Sequence, residues 1–149
     1  MPFQLDTNHC IYLQNGLAKP EKNRTVFEEN TVNHAVTISE PIFTSRISVT
    51  ELYFGAYYSC NTEVNLKKTN TFIEGINIIE VNSEISQIFA EMKSRLRKKG
   101  ITLSDFDLLI ASTAHTQGNI LVTNDGDFNN LPKNFIKKDN WAENILKNK

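Results

Sequence analysis

The chain has 149 residues, enough for one domain with a hydrophobic core of its own, and residues 1–149 are taken as a single unit. With 40% hydrophobic and 22% charged residues it has the make-up of a globular protein, and no apolar run approaches the roughly 18 residues of a membrane span. Sixteen basic against seventeen acidic side chains leave a net charge of −1, which taken alone argues against a polyanionic partner.

The N-terminus, MPFQLDTN, lacks the basic region, apolar stretch and small-residue cleavage site of a secretory signal, so a cytoplasmic location with reduced thiols is expected. A first strand is expected over Phe3 to Asp6, kept short by Pro2 and Gln4, with a helical run after it. Residues Asn15 to Glu40 are polar, with Pro20 and a weak helical pattern around Val26 to Val32, and no chemistry is assigned to them. A second strand follows around Ile42 to Thr44, then helices over Val49 to Cys60 and Glu63 to Glu74 and a strand over Ile76 to Val81. Helical periodicity is clearest from Ser83 to Lys99, where Ile85, Ile88, Phe89, Met92 and Leu96 recur at three- and four-residue steps and Gly100 ends the run. A helix over Asp105 to Thr116 ends near Gly118, and strands are expected at Asn119 to Thr123 and near Phe135 to Lys138. Strands alternating with helices signify βαβ units, hence an α/β fold with a parallel sheet. Cys10 and Cys60 read as packing residues in helices, and His9, His34 and His115 as satisfied or exposed bystanders.

The chemistry lies in four carboxylates: Asp6 in LDTN, Glu51 in SVTEL, Asp107 in SDFDLLIA and Asp125 in LVTNDGDF. Each also has a local structural explanation. Asp6 is placed to cap a helix, Glu51 stands three residues after Ser48 as in a capping box, Asp107 stands likewise after Ser104, and Asp125 sits in an Asn-Asp-Gly turn. Four independent caps have no reason to share one edge, whereas in an open α/β sheet ligands bind beyond the carboxyl ends of the strands, where these acids fall. Carboxylates gathered there call for a cation, and hard oxygen ligands suit Mg²⁺ or Mn²⁺ better than zinc. With four acids neutralised, 16 basic groups face 13 acidic ones, and nucleic acid returns as a partner. Lys93, Arg95, Arg97, Lys98 and Lys99, and the tail Lys133, Lys137, Lys138, Lys147 and Lys149, are candidate phosphate contacts or plain solvated faces. The chain contains no GxxxxGK[ST] or GxGxxG phosphate loop, no GxSxG elbow and no CxxC pair.

The segments LDTN at 5–8, ISVTELYFGA at 47–56, DLLIASTA at 107–114 and ILVTNDGDF at 120–128, in that order and followed by DNW at 139–141, resemble the PIN-domain ribonucleases, and within them the VapC-like toxins of type II toxin–antitoxin systems. The resemblance implies a three-layer α/β/α sandwich with a mostly parallel central sheet and an acidic pocket for one or two Mg²⁺ or Mn²⁺ ions. It implies an endoribonuclease that hydrolyses RNA phosphodiester bonds with an activated water. Asp6, Glu51 and Asp107 match the family's three most regular acids and Asp125 the more variable fourth, with Asp127 as its rival; Asn8 and Thr123 match polar residues that line or brace the pocket. Asp105 adds an acid beside Asp107, to tune the site or to start the helix. The implied partners are RNA, a cognate antitoxin that covers the site and a second copy in a homodimer, with Leu52, Tyr53, Phe54, Tyr57 and Tyr58 on one helix as candidate interface residues, most of them expected to face the core. A DxD-type phosphatase is disfavoured by Asn8 at the second acid's position. A receiver module lacks its paired early acids, so the alternative class is a PIN-like module that binds RNA or protein without cutting.

Overall fold

The computed structural model describes residues 1–146; Lys147 and Lys149 of the basic tail lie outside the described residues. The elements run β1 (Phe3–Leu5), α1 (Thr7–Ala18), α2 (Val26–Thr37), β2 (Ile42–Ser45), α3 (Arg46–Tyr58), α4 (Thr62–Glu74), β3 (Asn77–Ile79), α5 (Ser83–Lys98), α6 (Asp105–Gln117), β4 (Ile120–Val122) and β5 (Lys137–Asp139). Single 3₁₀ turns follow α1 and β4. The five strands form one sheet in the order β3-β2-β1-β4-β5, and every pairing is parallel.

Parallel strands need long crossovers, and three of them are helix pairs: α1 with α2, α3 with α4, and α5 with α6. The sheet is covered on both faces, because successive strand residues point opposite ways. Leu121 packs with Met92 and Leu96 of α5 and with Leu108, Ile110 and Ala114 of α6. Its neighbour Val122 packs on the other face with Leu5, with Leu13 of α1, Val32 of α2, Leu52 of α3 and Phe72 of α4, and with Trp141. The result is the expected α/β/α sandwich. Gln4, fully buried in central strand β1, donates through Nε2 to Ile110 O at 2.9 Å, which satisfies its amide donor, while its buried Oε1 has no hydrogen-bond partner among the described residues.

Several boundaries differ from expectation for local reasons. α3 starts at Arg46 rather than Val49 because Ser45, not Ser48, is its N-cap, with Ser45 Oγ accepting from Ser48 N at 3.1 Å. The SVTE capping box is therefore not formed, and Glu51 stands in the second turn of the helix. A complete capping box occurs instead at Thr25 and Glu28, where α2 extends the weak pattern of Val26 to Val32 to twelve residues. β3 is shorter than Ile76 to Val81, and β5 begins two residues after Phe135 to Lys138 is expected to begin. Gly118 ends α6 at φ 68° and Gly100 follows α5 at φ 70°, both in the left-handed region that glycine enters without penalty. Cys10 is buried, whereas Cys60 is exposed just past the end of α3, so the second cysteine is not a packing residue; both are free thiols.

Candidate active site

The order β3-β2-β1-β4-β5 has its switch point at β1 and β4, since the chain builds outward from β1 to β3 and then returns to the opposite side of β1. At such a point the two following loops diverge and leave a crevice beyond the strands' carboxyl ends. Asp6 is the residue after β1, and Thr123, Asn124 and Asp125 follow β4. The register Leu5↔Val122, with Asp6 N donating to Val122 O at 3.0 Å, sets these two loops side by side. Glu51 arrives from α3 after β2, the other neighbour of β1, and Asp107 from the first turn of α6.

The carboxylates that converge are Asp107, Asp125 and Asp127, one oxygen from each lying within 4.8 Å of the others. Asp107 is half-buried, and its pKa is raised above the ordinary carboxylate value by burial first, then, against the pull of Ser104, by the charges of Asp125, Glu51 and Asp127. Glu51 is thus electrostatically part of the cluster, although outside its tightest core. It is held by Thr7, whose Oγ1 donates to Glu51 Oε1 at 2.6 Å and lies 3.1 Å from Ser48 Oγ. Asp6 caps α1, accepting from His9 N at 2.8 Å and from the His9 ring at 2.9 Å, and it too lies outside the triplet. Burial pushes the Cys10 thiol up to about 12; the Thr44 hydrogen bond opposes the shift, and the charges of Asp6 and Glu51 add to it.

The structure therefore separates the sequence-predicted residues into a converging pair, Asp107 and Asp125, joined by the rival Asp127, and two flanking acids, Asp6 and Glu51. Asp127 and Asp125 share the site: Asp125 Oδ1 accepts from Asp127 N at 2.9 Å, and the turn brings both carboxylates round. Thr123 Oγ1 accepts from Asp125 N at 3.0 Å and braces the loop, whereas Asn8 is exposed on α1. Asp105 is engaged elsewhere, accepting from Lys93 Nζ at 2.8 Å. The residues that sequence reasoning misses are Thr7 and His9. Thr7 lies within the LDTN segment, and its spacing from Glu51 gives no sign that it bonds that acid. Beside the site, Thr123, Asn124, Asp125, Asn129, Lys138 and Asp139 line an open cleft of about 360 Å³. The Oδ1 of Asn124 is buried and lacks a hydrogen-bond partner among the described residues.

Three hard carboxylate oxygens within reach of one ion, a fourth acid acting on them and a charge penalty on Asp107 make up a donor set suited to a hard divalent cation. No histidine or cysteine belongs to the triplet, so the donors are not those of a zinc site.

A model of the PIN domain matches residues 4–134. Ribonuclease VapC2 of Rickettsia felis is 30% identical over 142 residues, covering 95% of this chain and 98% of that protein. The tRNA(fMet)-specific endonuclease VapC of Salmonella typhimurium is 29% identical over 143 residues, covering 95% and 99%. Among solved structures, VapBC2 from Rickettsia felis bound to a DNA fragment from their promoter superposes with a TM-score of 0.79 at 29% identity, covering 95% of this chain and 99% of that one. The chain belongs to the PIN-domain family, and within it to the VapC-like ribonuclease toxins of toxin–antitoxin systems.

Proposed function

We propose that this chain is a Mg²⁺- or Mn²⁺-dependent endoribonuclease, the toxin of a type II pair, whose site is formed by Asp107, Asp125, Asp127, Glu51 and Asp6. The observation that carries the reading is the convergence of Asp107, Asp125 and Asp127 to within 4.8 Å at the switch point of the sheet. Asp107 and Asp6 are the principal ligands. Asp125 and Asp127 complete the cation's surroundings together, which removes the need to choose one of them as the fourth acid. A bound divalent ion supplies positive charge to the phosphate and a more acidic water.

The chain's own residues do the rest. Thr7 fixes the Glu51 carboxylate at the mouth of the site through a 2.6 Å bond, so that Glu51 orients the attacking water or holds its proton. Thr123 holds the Asp125 loop, and Lys138, which lines the same cleft and donates to Asn129 Oδ1, is the cation there that a backbone phosphate would meet. The basic cluster of Lys93, Arg95, Arg97 and Lys98 lies on α5, which packs on α6. It offers phosphates a second contact region, although Lys93 is paired with Asp105 of α6. RNA as the substrate agrees with a cytoplasmic place of action.

The antitoxin reading rests on the VapBC complexes among the structural relatives. It is supported by an apolar groove of about 530 Å³ between α1 and α4, where Leu13, Leu17, Val64 and Phe72 lie beside Lys67 and Lys68. Phe54, Tyr57 and Tyr58 project from α3 at 67%, 66% and 82% exposure, too much apolar surface on one helix to be left to solvent, and we assign it to a homodimer contact.

Cleavage of a panel of tRNA and ribosomal RNA by the purified, antitoxin-free protein tests the proposal, with EDTA and an Asp6→Asn variant alongside. Discrete cuts lost in both controls are expected. RNA that is bound but left intact by folded protein in the presence of Mn²⁺ would instead support the non-catalytic module.

A further inference from the structure

His9 is completely buried in the first turn of α1, beside the acid that ends β1. Its Nδ1 lies 2.9 Å from Asp6 Oδ1, and its Nε2 lies 3.2 Å from Ala142 N. A backbone amide only donates, so Nε2 accepts and carries no proton; the ring hydrogen is then on Nδ1 and is donated to Asp6. One tautomer satisfies both contacts. His9 also gives its own backbone N–H to Asp6 Oδ1 at 2.8 Å. One residue thus grips one carboxylate oxygen twice, and Oδ2 takes part in neither bond.

The far side of the imidazole is equally fixed. Ala142 O accepts from Asn30 Nδ2 of α2 at 2.8 Å, and Trp141, 1% exposed, stacks on His34 of α2 with centroids 5.4 Å apart and planes 3° from parallel. His34 Nε2 lies 2.8 Å from Asn144 O. The chain after β5 is therefore clamped onto α2 in the register that presents the Ala142 amide to His9. A ring held at both nitrogens has no freedom to rotate, and neither has the carboxylate it holds.

We propose that His9 is a positioning residue for the metal site: it locks the Asp6 carboxylate so that Oδ2 is left for the cation, and it makes the turn at Trp141 and Ala142 part of that site's support. This role rests on Asp6 being a metal ligand, as proposed above. Groups that orient a ligand from behind typically change metal affinity about 10- to 100-fold when removed.

The test compares Mn²⁺ affinity, by titration calorimetry of the RNA-free protein, with melting temperature for wild type, His9→Ala, His9→Asn, His9→Gln and Asp6→Asn. The Asn side-chain amide occupies the place of Nδ1–H and keeps the bond to Asp6, whereas the Gln amide occupies the place of Nε2 and keeps only the contact with Ala142. We expect His9→Ala and His9→Gln to bind Mn²⁺ about 10- to 100-fold more weakly and His9→Asn to recover most of that loss, while all three melt below wild type. Affinity would then follow the Asp6 bond, and stability would not. Should His9→Ala fail to fold, the comparison of Asn with Gln still decides. Equal Mn²⁺ affinity in those two, or wild-type affinity in His9→Ala, would overturn the positioning role and leave His9 a packing residue. Unchanged affinity in Asp6→Asn would overturn the ligand assignment itself and the role of His9 with it.

Discussion

Asp107 holds its proton more readily in the folded chain than in the unfolded one, because burial and the charges of Asp125, Glu51 and Asp127 all disfavour its anion. Below the ordinary carboxylate value both states are protonated and folding carries no penalty; the penalty grows as pH rises and is complete above the raised folded value. Metal-free protein should therefore lose stability across that window as pH increases. Asp107→Asn should abolish this part of the slope and, at neutral pH in EDTA, raise stability by less than about 1 kcal/mol, since the group is only half-buried. Melting curves from about pH 4 to about pH 8 check this, and a variant with the wild-type slope would contradict it. Thr7→Val, which removes the hydrogen bond to Glu51, should lower the cleavage rate about 10-fold with little change in melting temperature, measured as single-turnover rates beside thermal scans. At this scale the sequence is legible but ambiguous. Asp6 and Asp125 each accept the capping or turn bond that a local motif suggests through Oδ1, leaving a second oxygen for another task, and Asp107 joins its motif only through its backbone N–H, which donates to Ser104 Oγ. Glu51 is the exception: its capping-box motif is not used, and the carboxylate is turned to Thr7.

Among the elements, α5 is the easiest to read and α2 the hardest. The face that α5 buries carries Ile85, Met92 and Leu96, so its period stands out. The face that α2 buries carries Glu28, Asn30, Thr31, Val32 and His34, while Val26 and Val36 are each 70% exposed. A helix that hides polar groups satisfied by distant partners shows no apolar stripe. Those partners include Lys19 for Glu28 and the chain beyond β5 for Asn30 and His34. β5 escapes sharp definition for a related reason, since Lys137 and Lys138 are exposed and an edge strand need not alternate. The close approach of α1 to α2 also rests on a residue that looks unremarkable in sequence. A Cβ at Gly16 would lie 2.7 Å from Val32 Cγ2 and 3.3 Å from Glu28 O. Gly16→Ala should therefore destabilise by about 1–3 kcal/mol, although alanine is the better helix former by about 1 kcal/mol; urea unfolding checks the sign.

For the whole molecule, the strand order is what gathers scattered acids at one edge of the sheet. Alternating strands and helices disclose a parallel sheet, but the return of β4 to the open side of β1 is a long-range choice that no local pattern encodes. That choice places Asp6 beside the Asp125 loop, with β2 on the other flank of β1 leading into α3 and Glu51. The closing segment then ties the two ends of the chain together. Trp141 packs against Phe3 with ring centroids 5.2 Å apart and stacks on His34, so Trp141→Ala should cost about 3–5 kcal/mol in global stability. Saturating Mn²⁺ should act in the opposite direction, adding about 2.7 kcal/mol at one hundred times its Kd. The most direct test of the central claim pairs Mn²⁺ binding with RNA cleavage in wild type and Asp107→Asn. Loss of both in a variant that remains folded is the predicted result. A folded Asp107→Asn protein that binds Mn²⁺ and cuts RNA as the wild type does would contradict the assignment of this acidic cluster as the metal-holding active site.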